Sequence, residues 1–331
     1  MKHLRTLFTF IFSLIFSLLS TLFKAPTGEK YDAISAGDQI PTHFVVKYDD
    51  DVKLAYQQAK SRLEDRVTTL TATGASVSFD FVTATESSLV TTRYQDVVPT
   101  NTPHTRRWID LADYDWDDYV DSFDKLRLLA DPTNKYVRSA IAAHNRTKDR
   151  IIISSMFGTA RETSGYGTTL TTTMTALPAG SKVAHGSVNM TMAKLRTGIE
   201  LLNVAEAGTP EEGGERTFVY TANQLTKLMS DVSFTSRDYS DLQALQNYKV
   251  DYFMGMTWIR TELLPKSGNI RKCGLFTKDG MGLALGANIV NDVTIRKDKR
   301  GYPIQVYSMV SLGSVRGQDK CVVEIECDES A

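Results

Sequence analysis

The sequence has 331 residues, of which 38 are Lys or Arg and 39 are Asp or Glu, giving a formal net charge of −1; 42% are hydrophobic. This composition excludes an intrinsically disordered chain, leaves enough residues for about two domains with a sizeable core, and provides no global field to draw the chain to nucleic acid or acidic lipid. Partners must be selected by shape and local charge.

The first element is the apolar run Leu7 to Phe23, behind Lys2 and Arg5. It is marginal for a membrane span, which needs roughly 20 apolar residues, and its exit places Phe23 where a signal-peptide cleavage site wants a small residue. Wound as a helix, it gathers Lys2, Arg5, Thr9, Ser13, Ser17, Ser20 and Lys24 on one stripe. Such a helix can be a cleaved signal, lie on a membrane, or bury its apolar side against another chain. Residues 25–43 carry Pro, Gly and scattered charge, the mark of an arm or linker. Over 46–74, Val52, Tyr56, Ala59, Leu63, Val67 and Leu70 recur at helical spacing behind Asp49 to Asp51, which predicts an amphipathic helix ended by Gly74.

Alternation then predicts two strands, one with Val77, Phe79 and Phe81 inward, the other with Thr105, Arg107, Ile109 and Leu111 on one side. The stretch between them far exceeds the usual hairpin loop of about 2–5 residues, so 75–112 reads as a protruding extended loop. Asp110, Asp113, Asp115, Asp117, Asp118, Asp121 and Asp124 follow. They lack the Gly and terminal Glu of a calcium loop, and DWDDYVDSFDKLRLLA places several of them in the first turns of a helix, where the dipole favours them. Asp131 and Pro132 open a longer helix that ends at Gly158 and buries Val137, Ala140, Ile141, His144, Ile151, Ile152 and Ser155. Its charge is opposite to that of the Asp-rich segment, so neighbouring copies could complement one another. Arg106 and Arg107 facing Asp115, Asp117 and Asp118 of another subunit are the candidate contact, with capping inside one subunit as the alternative.

After a flexible Gly/Thr stretch, Thr159 to Thr173, helices and strands alternate. MTMAKLRTGIELLNVAEA reads as a helix. TFVYTANQLTKLM reads as a strand entering a helix through a Thr221/Gln224 capping box, a device repeated by Ser240 and Gln243. Short strands fill the rest, giving an α+β arrangement. Cys321 and Cys327 lie too far apart along one strand to pair, and with Cys273 they read as buried thiols. No catalytic, cofactor-binding or metal-ligating set emerges. The five histidines are scattered, with His144 on an apolar helix face, and neither GSVRG nor DGMGLALG has the spacing of a nucleophile elbow or a dinucleotide loop.

The order YDWDDYVDSFDKLRLLADPTNKYVRSAIAAHNRTKDRIIISSMFGTA, CGLFTKDGMGLAL, GSVR and VVEIECDE resembles major capsid proteins of tailed bacteriophages with the Hong Kong 97-like fold, over roughly residues 38 to 329. The resemblance implies an N-terminal arm at 1–45 followed by the 46–74 helix, and an extended loop at 75–112 that overlaps a neighbour. It further implies a peripheral domain with the spine helix at 113–174, and an axial domain with return strands at 175–331. It also implies self-assembly through hexamers and pentamers into an icosahedral shell around phage double-stranded DNA, in the host cytoplasm, without enzymatic activity or cofactors. Scaffold, portal or decoration proteins would be partners, DNA would be packed without sequence-specific contact, and no membrane would be needed. Leu7 to Phe23 departs from that pattern and is expected to be an assembly helix or a removable extension. The competing reading is a membrane-anchored or exported binding protein.

Overall fold

The computed structural model describes residues 54–94, 96–97, 99–100, 102, 104–121, 133–166, 169–209, 214–230 and 250–330. The chain divides at Asp49/Asp50, and the described residues all belong to the second unit. The strands of its first half are β1 (Thr68–Thr71), β2 (Ser76–Val82), β3 (His104–Asp110), β4 (Ala112–Val120), β5 (Ala160–Tyr166) and β6 (Thr169–Thr175), with helix α1 (Thr133–Phe157) between β4 and β5. The second half contributes β7 (Lys182–Val183), α2 (Met192–Val204), β8 (Arg216–Tyr220), α3 (Ala222–Ser230), β9 (Tyr252–Phe253) and β10 (Met256–Arg260). It closes with β11 (Lys266–Ser267), β12 (Ile270–Thr277), β13 (Met281–Ile295), β14 (Ile304–Arg316) and β15 (Val322–Asp328).

Three sheets result. A central sheet runs β1-β13-β14-β4 and is built on the long β13–β14 hairpin; α1 lies against it. A mixed sheet, β7-β15-β12-β8-β10-β9 with β11 on β12, carries α2 against β15 and β7. A four-stranded antiparallel sheet, β2-β3-β5-β6, holds the loop residues 83–103 between its first two strands. One apolar core, including Ile152 and Met156 of α1, Leu195 and Leu202 of α2, Phe218, Leu275, Leu283 and Ile325, joins the first two sheets to all three helices.

Of the stripe expected on α1, Ala140, His144 and Ile152 are buried, Val137, Ile141, Ile151 and Ser155 are half-buried, and the buried face also takes in Ala142, Lys148, Asp149, Ile153 and Met156; Asp131 and Pro132 lie outside the described residues. Thr191 caps α2 by accepting the Lys194 N–H at 3.4 Å, and the Thr221 N–H donates to Gln224 Oε1 at 3.3 Å at the start of α3. The Ser240/Gln243 pair lies outside the described residues. All three cysteines are free and buried.

Three local expectations are overturned. Over the described part of 46–74 there is one 3-10 turn, Glu64–Arg66, followed by β1, which pairs in parallel with β13. The helical spacing of Leu63 and Val67 instead serves an extended strap on α1. The buried Asp149 carboxylate takes the peptide N–H groups of Arg62 and Leu63 at 3.1 and 3.2 Å and the Ser61 hydroxyl at 2.6 Å, so those N–H groups are satisfied without a helix. Lys148 adds a 2.8 Å ion pair to Glu64. Residues 112–120 are not helical but form strand β4, whose backbone pairs with β14 from Ala112 to Val120. The tertiary ladder outweighs the dipole preference of the aspartates. The stretch 159–173 is a hairpin, β5–β6, whose threonine-rich strands pair with each other and with β3.

Asp149→Ala should leave the Arg62 and Leu63 N–H groups without acceptors, costing about 2–3 kcal/mol and opening residues 57–62 to protease. Denaturant unfolding with limited proteolysis reads both. Unchanged cleavage would mean that Leu63, Val67 and the Lys148–Glu64 pair hold the strap without Asp149.

Candidate subunit-contact surfaces

The loop sheet crosses the central sheet at GSVRG. A β-carbon on Gly313 would stand 2.3 Å from the Asp110 carbonyl oxygen, and one on Gly317 would stand 2.5 Å from the Phe81 ring. These glycines therefore serve close approach, and the motif needs no catalytic reading. Ala72, Ala160 and Ala284 fill the crossing with Ile109 and Val315, and Leu70, Val77, Phe79 and Leu111 pack against them.

Beside them the arginines do the joining. Arg107, on the inward face of β3 and 4% exposed, donates through Nη1 to Asp319 Oδ1 at 3.0 Å and the Arg316 carbonyl at 3.2 Å, and through Nη2 to Asp319 Oδ2 and Glu162 Oε2, both at 2.8 Å. Arg316 is fully buried. Its Nε donates to Asp319 Oδ1 at 2.6 Å, and its Nη groups donate to the carbonyls of Met156, Gly158 and Thr175 at 2.8–3.1 Å. Burial opposes ionisation of Asp319, but the hydrogen bonds from Arg107 and Arg316 outweigh it and hold the carboxyl below its ordinary range. One carboxylate thus ties β3, β5, the end of α1 and the β14–β15 turn together.

Arg106 faces outward, with a bidentate pair to Asp80 at 2.7 and 2.9 Å. Its guanidinium and that of Arg161 lie 5.5 and 5.4 Å from the Trp108 ring centre. On β4, Asp113, Asp115 and Asp117 are exposed. Asp117 accepts from Gln305 Nε2 at 2.7 Å, and Asp118 accepts from the Tyr119 N–H at 2.8 Å. Neither Arg106 nor Arg107 pairs with Asp115, Asp117 or Asp118 of its own chain; both are engaged inside the loop sheet and its root. Asp124 lies outside the described residues. His144 is buried under β14. Burial pushes its pKa down, opposed by the Ser308 backbone and Asp115. Among the described residues, no three His, Cys, Asp or Glu side chains gather as a metal ion would require, and no helix is long and apolar enough to cross a membrane. Leu7 to Phe23 lies outside them.

The Arg316–Asp319 bond was missed from sequence, although the i, i+3 spacing of opposite charges across a turn was a signal. The Arg107–Asp319 bond spans more than two hundred residues and left none.

The family described as phage capsid protein matches residues 40–329. Similar solved structures include the capsid of cyanophage P-SCSP1u, at 16% identity and TM-score 0.66 over 86% of this chain and 93% of that one. The capsid of Ralstonia phage GP4 is 13% identical, with a TM-score of 0.66, over 89% and 97% of the two chains. The head structure of Helicobacter pylori bacteriophage KHP40 is 11% identical, with a TM-score of 0.67, over 86% and 96%. No curated protein matches the chain in sequence.

Asp319→Asn should leave the buried Arg316 without a counter-charge and Arg107 with Glu162 alone, costing about 3–5 kcal/mol. A carboxyl with a depressed folded pKa stabilises the fold above its unfolded value of about 3.9 and loses that contribution as pH falls. The wild type should therefore weaken below about pH 4 through Asp319, and through Glu329, which hydrogen bonds from Arg271, Lys266 and Gln224 hold at about 2 against the opposing effect of burial. Unfolding free energy measured against pH should show a shallower acid limb in the Asn variant; equal limbs would remove Asp319 from the account.

Proposed function

Because the chain belongs to the phage capsid protein family and has the Hong Kong 97-like fold, we propose that it builds its shell through the loop sheet and the central sheet. It is a major capsid protein, a structural component of the virion that assembles with copies of itself. The assignment of segments is our reading. Residues 1–45 act as an arm, the hairpin bearing 83–103 reaches over a neighbour, β4 with α1 forms the peripheral domain, and the mixed sheet with α2 and α3 forms the axial domain. The β13–β14 hairpin supplies the return strands.

The observation that carries the neighbour contact is the loop itself. Leu89, Val90, Tyr94 and Val97 stand almost fully exposed on 83–103, away from both apolar clusters. Four large apolar side chains without cover among the described residues of their own subunit fit a segment that finds its cover in another. The charge contact between Arg106, Arg107 and Asp115, Asp117, Asp118 of another copy belongs to the same proposal, with Arg106 as its accessible arginine, since Arg107 is buried in its own subunit. Hexamers and pentamers, assembly in the host cytoplasm, scaffold or portal partners and DNA packed without sequence reading complete the proposal. Nothing in the comparisons favours the anchored or exported binding protein.

Negative-stain electron microscopy of the recombinant protein, full length and lacking residues 1–25, tests the assignment. The expected outcome is shells or capsomers from the full-length chain, with yield reduced on truncation if the opening segment is an assembly arm. Equal yields would make that segment a removable extension, and monodisperse monomers in both would remove the shell reading.

A further inference from the structure

The β13–β14 turn and the Asp113–Asp115 stretch of edge strand β4, opposite the middle of β14, carry opposite charge. Between β13 and β14 the chain reads Arg296-Lys-Asp-Lys-Arg-Gly-Tyr302, a turn closed by the Arg296 N–H to Pro303 carbonyl bond at 2.9 Å. Within it Arg296 and Asp298 neutralise each other through a bidentate pair at 2.9 and 3.0 Å, and the Lys299 ammonium sits over its own Tyr119 ring, 3.7 Å from the centre. Lys297 and Arg300 are exposed and have no ion-pair partner among the described residues. The turn therefore presents uncompensated positive charge.

Further along the same sheet, a depression of about 440 Å³ is lined by Asp113, Tyr114, Asp115, Tyr307, Met309 and Ser311. Neither Asp113 nor Asp115 has an ion-pair partner among the described residues, and Met309 is 41% exposed. Two free carboxylates beside tyrosine rings and a thioether suit a long cationic side chain, whose apolar stem covers Met309 while its head meets the acids. The subunit's own turn cannot provide it. The ladder runs from Ile304 opposite Val120 to Met309 opposite Asp115, which sets the depression about 17 Å back from the turn at ~3.4 Å per residue.

We propose that the Lys297/Arg300 turn of one copy docks into the Asp113/Asp115 depression of a second copy. This contact rests on the shell reading and gives Asp115 a different partner from the Arg106 of that reading, so at Asp115 the two are alternatives that the test below separates. It is heterologous, turn into depression, so repeating it by rotation closes a ring of identical subunits. Facing patches of opposite sign also fix orientation and exclude misaligned encounters, which a chain with near-zero net charge cannot achieve through its overall field.

The test uses K297E/R300E, D113K/D115K and the two combined in the full-length chain. Thermal unfolding of the unassembled subunit checks folding, and sedimentation with electron microscopy counts shells. If wild type forms no shells, the shell reading fails before the contact is addressed. Given wild-type shells, each reversal should cut yield about tenfold or more, and the combined variant should restore it. Wild-type yields from the single reversals, or no recovery in a folded combined variant, would overturn the contact. Recovery of D113K/D115K by R106E would also overturn it, by assigning the acids to Arg106. A K297C/D115C pair, tested because the native cysteines are buried, should form a disulfide ladder between copies in oxidised shells. A ladder absent from shells that still assemble would place the turn elsewhere.

Discussion

Asp319 lies between two buried guanidinium groups, and the placement of the loop sheet depends on that carboxylate. Burying two arginines and an acid is costly unless every donor finds an acceptor. Here every Nη and the Nε of Arg316 find acceptors, in Asp319, Glu162, the Arg316 carbonyl, the carbonyls that end α1 and that of Thr175, and the Nε of Arg107 alone is left without one among the described residues. The arrangement is satisfied only when β3, β5, β6, α1 and the β14–β15 turn are all in position. It therefore couples them through defined partners, beside a small apolar cluster that fills the crossing. Hydrogen bonds are directional where apolar burial is not.

The same logic repeats at the strap. Asp149 on α1 takes the peptide N–H groups of residues 62 and 63, and Lys148 takes Glu64, so the helix holds the chain that leads into β1 by side-chain bonds. Buried charges on α1 thus do for the strap what Arg107 and Arg316 do for the loop sheet. The apolar core fills the space between sheets, and the buried ions decide which segments lie against it.

This division explains what was legible in the sequence. Elements set by local pattern were readable: α1 as a long helix ending at Gly158, α2 from its helical run, α3 from its Thr221/Gln224 cap, β2 and β3 from alternation, and short strands of the second half, although the glycine-rich first part of β13 was not read as a strand. The 46–74 helix failed because the spacing of Leu63 and Val67 suits a strap as well as a helix, and the deciding partner, Asp149, lies 86 residues away. In 112–120 the alternation of Asp113, Asp115 and Asp117 with Tyr114 and Trp116 was a strand signal. It lost to the dipole argument for clustered aspartates because the β14 partner lies nearly two hundred residues on. The Thr-rich 159–173 stretch looked flexible for want of apolar residues, yet its strands are completed by β3. At the surface, the sequence marked β4 as acidic and 106–107 as basic, but burial of Arg107 was not visible without Asp319.

Charge sorting within a neutral chain follows from these constraints. The buried arginines are compensated inside the subunit, so they add nothing to its outer field. What remains outside places cations at the β13–β14 turn and the unpaired acids Asp113 and Asp115 further along β4, because an edge strand needs charge to resist indiscriminate pairing and a tight turn in a long hairpin needs polar residues. Each requirement is local, and together they leave a polar axis on every subunit. In a monomer this separation has little effect on stability, since exposed pairs contribute only about 0–1 kcal/mol. In a shell the axis is repeated once per subunit, and weak oriented contacts multiplied in that way can fix a single arrangement while each remains reversible during assembly.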